Sequence, residues 1–170
     1  MKTRYLLSLL AGLALTAGFA PQLVAVAKAP ENVTVIFQEP ENFTDVRENQ
    51  SENTSAYYLG VLKNCMQETA APLIPAGQKL AITVLDVDLA GETRNGRPDN
   101  VRVMTATTLP RIHLKFQLLG TDGKVMREGE RKLTDLNYQN QIRRPGSEEP
   151  LYYDKELLRQ WLRSEFKPKP

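Results

Sequence analysis

Lys79 to Leu89 constrains the fold more than any other stretch of this chain. Leu80, Ile82 and Val84 alternate with Ala81, Thr83, Leu85 and Val87, so a strand here carries apolar side chains on both faces. Such a strand belongs in the middle of a sheet, covered on at least one side and with paired neighbours. The helices and other strands must therefore be arranged around it.

The neighbours can be read from their periodicity. Val33-Thr34-Val35-Ile36-Phe37 is a β-branched run that reads as a first strand. From about Ser51 to Ala71, Tyr58, Leu62, Cys65, Met66 and Thr69 recur at three- and four-residue spacing, the pattern of a helix with one buried stripe. Ser51 or Thr54 is suited to cap its start, and Pro72 and Pro75 prevent its continuation. Ala90 to Asn100 is a polar excursion, and Val101 to Thr107 reads as a short strand or edge piece. Ile112, Leu114, Phe116 and Leu118 alternate with His113, Lys115 and Gln117, a strand with one dry and one wet face. Asp122-Gly123 then forms a hairpin turn, because both positions tolerate positive φ. Lys124 to Leu133 returns as the partner strand, with Arg127, Glu128, Glu130, Arg131 and Lys132 expected to point outward and discourage edge pairing. Gln139 to Pro150 reads as a second polar loop. Asp154 is expected to cap a last helix whose Leu158, Trp161, Leu162 and Phe166 make an apolar stripe. The order β-α-β-(β)-β-β-α predicts an α+β fold: an antiparallel sheet of four to five strands with two helices packed on one face.

The N-terminus carries a different message. Lys2 and Arg4 precede an uncharged, Leu- and Ala-rich run from Tyr5 to Ala20, and Ala25-Val26-Ala27 offers small residues for cleavage. Residues 1–27 thus read as a cleaved secretory signal, cut before Lys28. A cut after Ala29 would put Pro30 behind the scissile bond. The apolar run is shorter than the ~20 residues of a comfortable membrane span. Residues 28–166 then form a single α+β domain, with 167–170 a disordered tail, and the expected location is the periplasm. Cleavage removes two basic and no acidic residues, leaving 20 basic against 20 acidic. That balance argues against nucleic acid and against bulk attachment to anionic lipid. The lone Cys65 excludes an intramolecular disulfide and a cysteine metal cluster, and it reads as a buried thiol.

One polar constellation stands out. Asp86 and Asp88 are two residues apart on the central strand, so they share a face, and Leu80, Ile82 and Val84 are expected on that same face. Two carboxylates at a core rim repel unless a cation, an arginine or backbone N–H groups answer them. With Glu92 they could hold a divalent ion, Asp86 and Asp88 being the ligands. Alternatively, one orders the Gly91 turn and the other pairs with Arg97, Arg102 or Arg111. Asp135 and Tyr138 close the hairpin and would join the group if the two sheet ends adjoin. No nucleophile elbow, HExxH helix or phosphate-binding glycine loop accompanies these residues, so no catalytic residue is assigned and no cofactor is indicated.

Taken in order, these motifs resemble domain-of-unknown-function family 3016. The resemblance rests on Val33–Phe37 with Phe43-Thr44-Asp45, then Pro75-Ala76-Gly77 and Asp86-Val87-Asp88-Leu89-Ala90-Gly91-Glu92. It continues through Pro110-Arg111-Ile112, Asp122-Gly123-Lys124-Val125, Leu133-Thr134-Asp135-Leu136-Asn137-Tyr138 and the Trp161 helix. Leu162 departs from the aromatic expected after the tryptophan. The resemblance implies a small exported protein of Gram-negative bacteria and carries no activity. The leading expectation is a non-enzymatic periplasmic domain that binds an envelope protein or other cell-envelope component. A divalent-cation or small-molecule binder using the Asp86/Asp88 group is the alternative, and a hydrolase the third.

Overall fold

The computed structural model describes residues 30–46, 52–93, 102–141 and 149–167. The signal segment, Ser51, the side chain of Thr54, Arg97 and residues 168–170 lie outside the described residues. The chain runs β1 (Val33–Phe37), α1 (Glu52–Ala70), β2 (Lys79–Asp88), β3 (Glu92–Thr93), β4 (Arg102–Val103), β5 (Arg111–Leu119), β6 (Val125–Thr134) and α2 (Tyr152–Phe166).

Four strands form one sheet in the order β1-β2-β5-β6, and β3 and β4 pair as a separate two-stranded ribbon. The sheet is mixed rather than antiparallel. β1 runs parallel to β2, with Val33 beside Leu80 and Phe37 beside Val84, whereas β2, β5 and β6 alternate in direction. The reason lies in the connection. Antiparallel neighbours can be joined by a tight turn, but a helix of 19 residues between two strands returns the chain to the end where the first strand began. α1 is that crossover.

Both helices cover the same face. Val33 and Val35 of β1, Leu80, Ile82, Val84 and Val87 of β2, and Ile112, Leu114 and Phe116 of β5 form one buried cluster with Leu62 and Met66 of α1 and Leu158, Trp161, Leu162 and Phe166 of α2. The α1 stripe is therefore where the spacing puts it, with Cys65 also buried.

Two features of the strands depart from simple alternation. In β2, Val84 sits opposite Leu114 and Asp86 opposite His113, so Leu85 is an extra residue in a bulge. The bulge inverts the phase of the strand. Val87 takes over the core face, and Asp86 and Asp88 move to the opposite face from Leu80, Ile82 and Val84, contrary to the strict two-residue repeat. In β6, Arg127 and Arg131 do not point outward with Glu128 and Glu130. They lie on the helix side, where Arg131 makes two 3.1 Å bonds to the Glu165 carboxylate and Arg127 donates to the Glu165 carbonyl at 2.7 Å. The Arg131 guanidinium stands 5.3 Å from the Phe116 ring centre and that of Arg127 4.8 Å from Phe166. Gly129 lies opposite Phe116 in this row, and a Cβ there would come within 3.1 Å of the ring. Glycine leaves the ring its space, and the arginines close the rim of the core.

Candidate functional site

The face of the sheet away from the helices carries the chain's polar ladder. The strand registers place its side chains in rows: Asp88 beside Arg111 and Thr134, Asp86 beside His113 and Lys132, Thr83 beside Lys115 and Glu130, and Ala81 beside Gln117 and Glu128. Neighbours along and between these rows bond to one another. Arg111 meets Asp88 at 2.8 Å, His113 Nε2 meets Glu130 at 2.6 Å, and Gln117 donates to Glu128 at 3.0 Å. Lys115 lies 3.6 Å from Glu130. The bond from His113 is the main reason that the Glu130 carboxyl is held below its usual range. Between these side chains lies an open concavity of about 480 Å³, floored by Ala81 and Thr83 and walled by Gln38, Lys115, Gln117 and Glu130. Ile36, on the same face of edge strand β1, is more than half exposed.

Of the residues singled out in the sequence, Asp86 and Asp88 therefore share this face, and each is answered. Asp86 accepts from the Thr44 N–H at 2.6 Å, the Thr44 hydroxyl at 2.8 Å and the Val87 N–H at 2.9 Å, so it fastens the Phe43-Thr44-Asp45 loop to the strand end. Asp88 pairs with Arg111. Glu92 is exposed on β3. Asp135 accepts from the Asn137 N–H at 2.8 Å and from Gln141, ordering its own loop. Tyr138 is buried, with its hydroxyl donating to the Thr105 carbonyl at 2.7 Å and its ring edge-on to Tyr153. Among the described residues, no hydrogen bond or ion pair joins Asp135 or Tyr138 to the two strand aspartates, and no group of three or more His, Cys, Asp or Glu is placed to hold a metal ion.

Beneath the strand end lies an ionic knot. Arg102, on β4, bonds to the carbonyls of Leu89, Ala90 and Gly91 and to the Asp45 carboxylate. Its guanidinium thereby gathers the first loop, the turn after β2 and the ribbon. Gly91 has φ +77°, and a Cβ on it would lie 2.9 Å from the Val103 carbonyl, so the turn requires glycine. Asp154 contributes from the other side. It is not the cap of α2: Leu151, at φ +53°, precedes the helix, and Asp154 sits buried in the first turn. Its carboxylate reaches across to the Ala90 N–H at 2.9 Å. Burial pushes its pKa up to about 6, against the opposing pull of that N–H and of Arg102. Neither strand aspartate orders the Gly91 turn among the described residues: Asp154, 63 residues beyond Gly91, does so together with Arg102. Nothing in its local sequence signals the role.

A second ionic group flanks α2. Glu149 is held down to about 2 by hydrogen bonds from Arg159 and Lys155. Cys65 lies near this group, its thiol 3.8 Å from the Lys155 carbonyl, and burial pushes its pKa up.

Fold and site together define a small α+β domain with one face of its mixed sheet sealed by two helices and the other presented as a polar ladder. Residues 31–164 match the family model described as protein of unknown function (DUF3016), and the chain belongs to that family. No curated protein and no solved structure matches it. No described helix is long and apolar enough to cross a membrane.

Proposed function

We propose that this is an exported, non-enzymatic accessory domain of the bacterial envelope, located in the periplasm, whose open sheet face binds an envelope protein or other cell-envelope component. The observation that carries the reading is the face itself: a shallow concavity on four hydrogen-bonded strands, lined by side chains that both donate and accept. A rigid backbone fixes the spacing of those groups, which suits recognition of a partner surface. The basic and apolar start of the chain and Ala25-Val26-Ala27 support export. The balanced charge of the mature chain supports a partner selected by shape and hydrogen bonds rather than by bulk charge.

The test is site-specific photocrosslinking in the exporting cell, with the probe at Gln117 on the open face or at Lys63, exposed on α1. One discrete adduct at Gln117, absent at Lys63 and removed by Thr83→Arg on the floor, is the expected result. Equal adducts at both positions, or none in the periplasmic fraction, would overturn the reading.

A further inference from the structure

A second cavity, of about 190 Å³, opens on the helix side of the ionic knot. Its lining includes Tyr58, Ala90, Met104, Tyr152, Tyr153 and the buried Asp154, together with Arg102 and Glu149. We propose that this cleft is a binding site for a small organic ammonium ion, with Asp154 receiving the charge and the tyrosine rings surrounding the stem.

Charge pairing around the cleft supports the assignment. Glu149 is met by Lys155 and by Arg159, the latter at 2.8 Å. Arg102 is committed to Asp45 and to three carbonyls. Among the described residues, no lysine, arginine or histidine lies within ion-pair distance of Asp154, whose bond is to the neutral Ala90 N–H. A buried carboxylate with no ion-pair partner among the described residues, attracted only at longer range by Arg102, is costly, and a cation bound in the adjoining aromatic cleft would answer it. The walls fit the same chemistry. Tyr152 and Tyr153 stand edge to face with centres 5.3 Å apart, and Tyr153 is held in turn by Tyr138 at 5.0 Å. Phenol rings attract an ammonium through their negative faces, and the Met104 thioether adds a polarizable contact. The volume matches that of about six waters, which limits the ligand to a few heavy atoms. Glu149 and Arg102 are the other charged groups lining the cleft, with Lys155 and Arg159 paired to Glu149 and Asp45 to Arg102. Glu149, Lys155 and Arg159 remain paired with one another when Asp154 changes state.

This site is separate from the sheet face and does not depend on it. An ammonium bound here keeps Asp154 ionised, so affinity should fall as pH drops below about 6. The experiment titrates the isotopically labelled full domain with n-butylamine, using n-butanol and butyrate as controls, and follows the Ala90 amide and the tyrosine ring signals by NMR. Butylamine should shift these signals saturably at pH 7.5, bind at least tenfold more weakly at pH 4.5, and exceed both controls in affinity. Asp154→Asn should remove the pH dependence and weaken binding at least tenfold. Tyr58→Leu should weaken it about two- to fivefold, which keeps the test decisive if the first variant folds poorly. Equal binding of butanol, preference for butyrate, unsaturable shifts, or full affinity in Tyr58→Leu would overturn the assignment.

Discussion

Replacing Asp154 by asparagine separates its charge from its hydrogen bond, since the amide oxygen can still accept from the Ala90 N–H. The carboxyl titrates at an ordinary 3.8 when unfolded and at about 6 when folded. Between those values the folded state holds a proton that the unfolded state has released, so unfolding free energy falls as pH rises. The contribution is fully present below about pH 4 and lost as pH climbs through 6. The full difference between 3.8 and about 6 corresponds to about 3 kcal/mol. Glu149 has the opposite sign. Its lowered pKa contributes stability above about 4.5 that is lost as pH falls towards 2, and it does so equally in both proteins. Urea unfolding of wild type and Asp154→Asn at half-unit steps from pH 4 to 7.5 isolates the Asp154 part as a difference. The variant should gain on wild type by about 2.4 kcal/mol between pH 4 and 7.5, with unchanged m-values. In melting temperature that is roughly 10 °C for a domain of this size. Parallel stability profiles, or a wild type that gains on the variant as pH rises, would refute the argument that burial outweighs the attraction of Arg102.

The two strand aspartates should behave differently despite their shared face. Asp86→Ala, which frees the Thr44 loop, should destabilise by about 2 kcal/mol in urea unfolding, whereas Asp88→Ala breaks an exposed pair and should stay under about 1 kcal/mol. Gly91→Ala combines an unfavourable left-handed backbone with a collision against the Val103 carbonyl and should cost about 2–4 kcal/mol by the same measurement. Cys65 should resist a thiol reagent in the native protein and react only as fast as the domain opens, measured by absorbance of the released chromophore.

Much of the fold is legible in periodicity, because periodicity reports burial. Leu62, Cys65 and Met66 of α1, the α2 stripe, and Ile112, Leu114 and Phe116 of β5 are all buried, with Tyr58 and Leu118 packed against them. Direction is a different kind of property. Val33–Phe37 has the same composition whether it runs parallel or antiparallel to β2, and only the crossover helix decides between them. The bulge is also silent. Leu85 fits an alternating apolar run, and the switch of phase shows only in the later pairing of Asp86 with His113. Arg127 and Arg131 read as surface charges because a pattern of polar and apolar residues cannot express an arginine that packs its plane on Phe116 and Phe166. For the candidate sites, Asp86 and Asp88 are visible as a spacing, while the Asp154–Ala90 bond joins residues 64 apart and leaves no local trace.

The bulge also determines how the central strand responds to changes in length. Deleting Leu85 would remove the bulge and leave Val84, Asp86, Val87 and Asp88 in strict alternation, with Val87 still on the core face and the two aspartates still on the open one. A substitution at the same position alters one half-buried side chain. The strand end is therefore tolerant of a lost codon at this one position, since the pairing of Asp86 with His113 and of Val87 with Ile112 needs no residue between Val84 and Asp86.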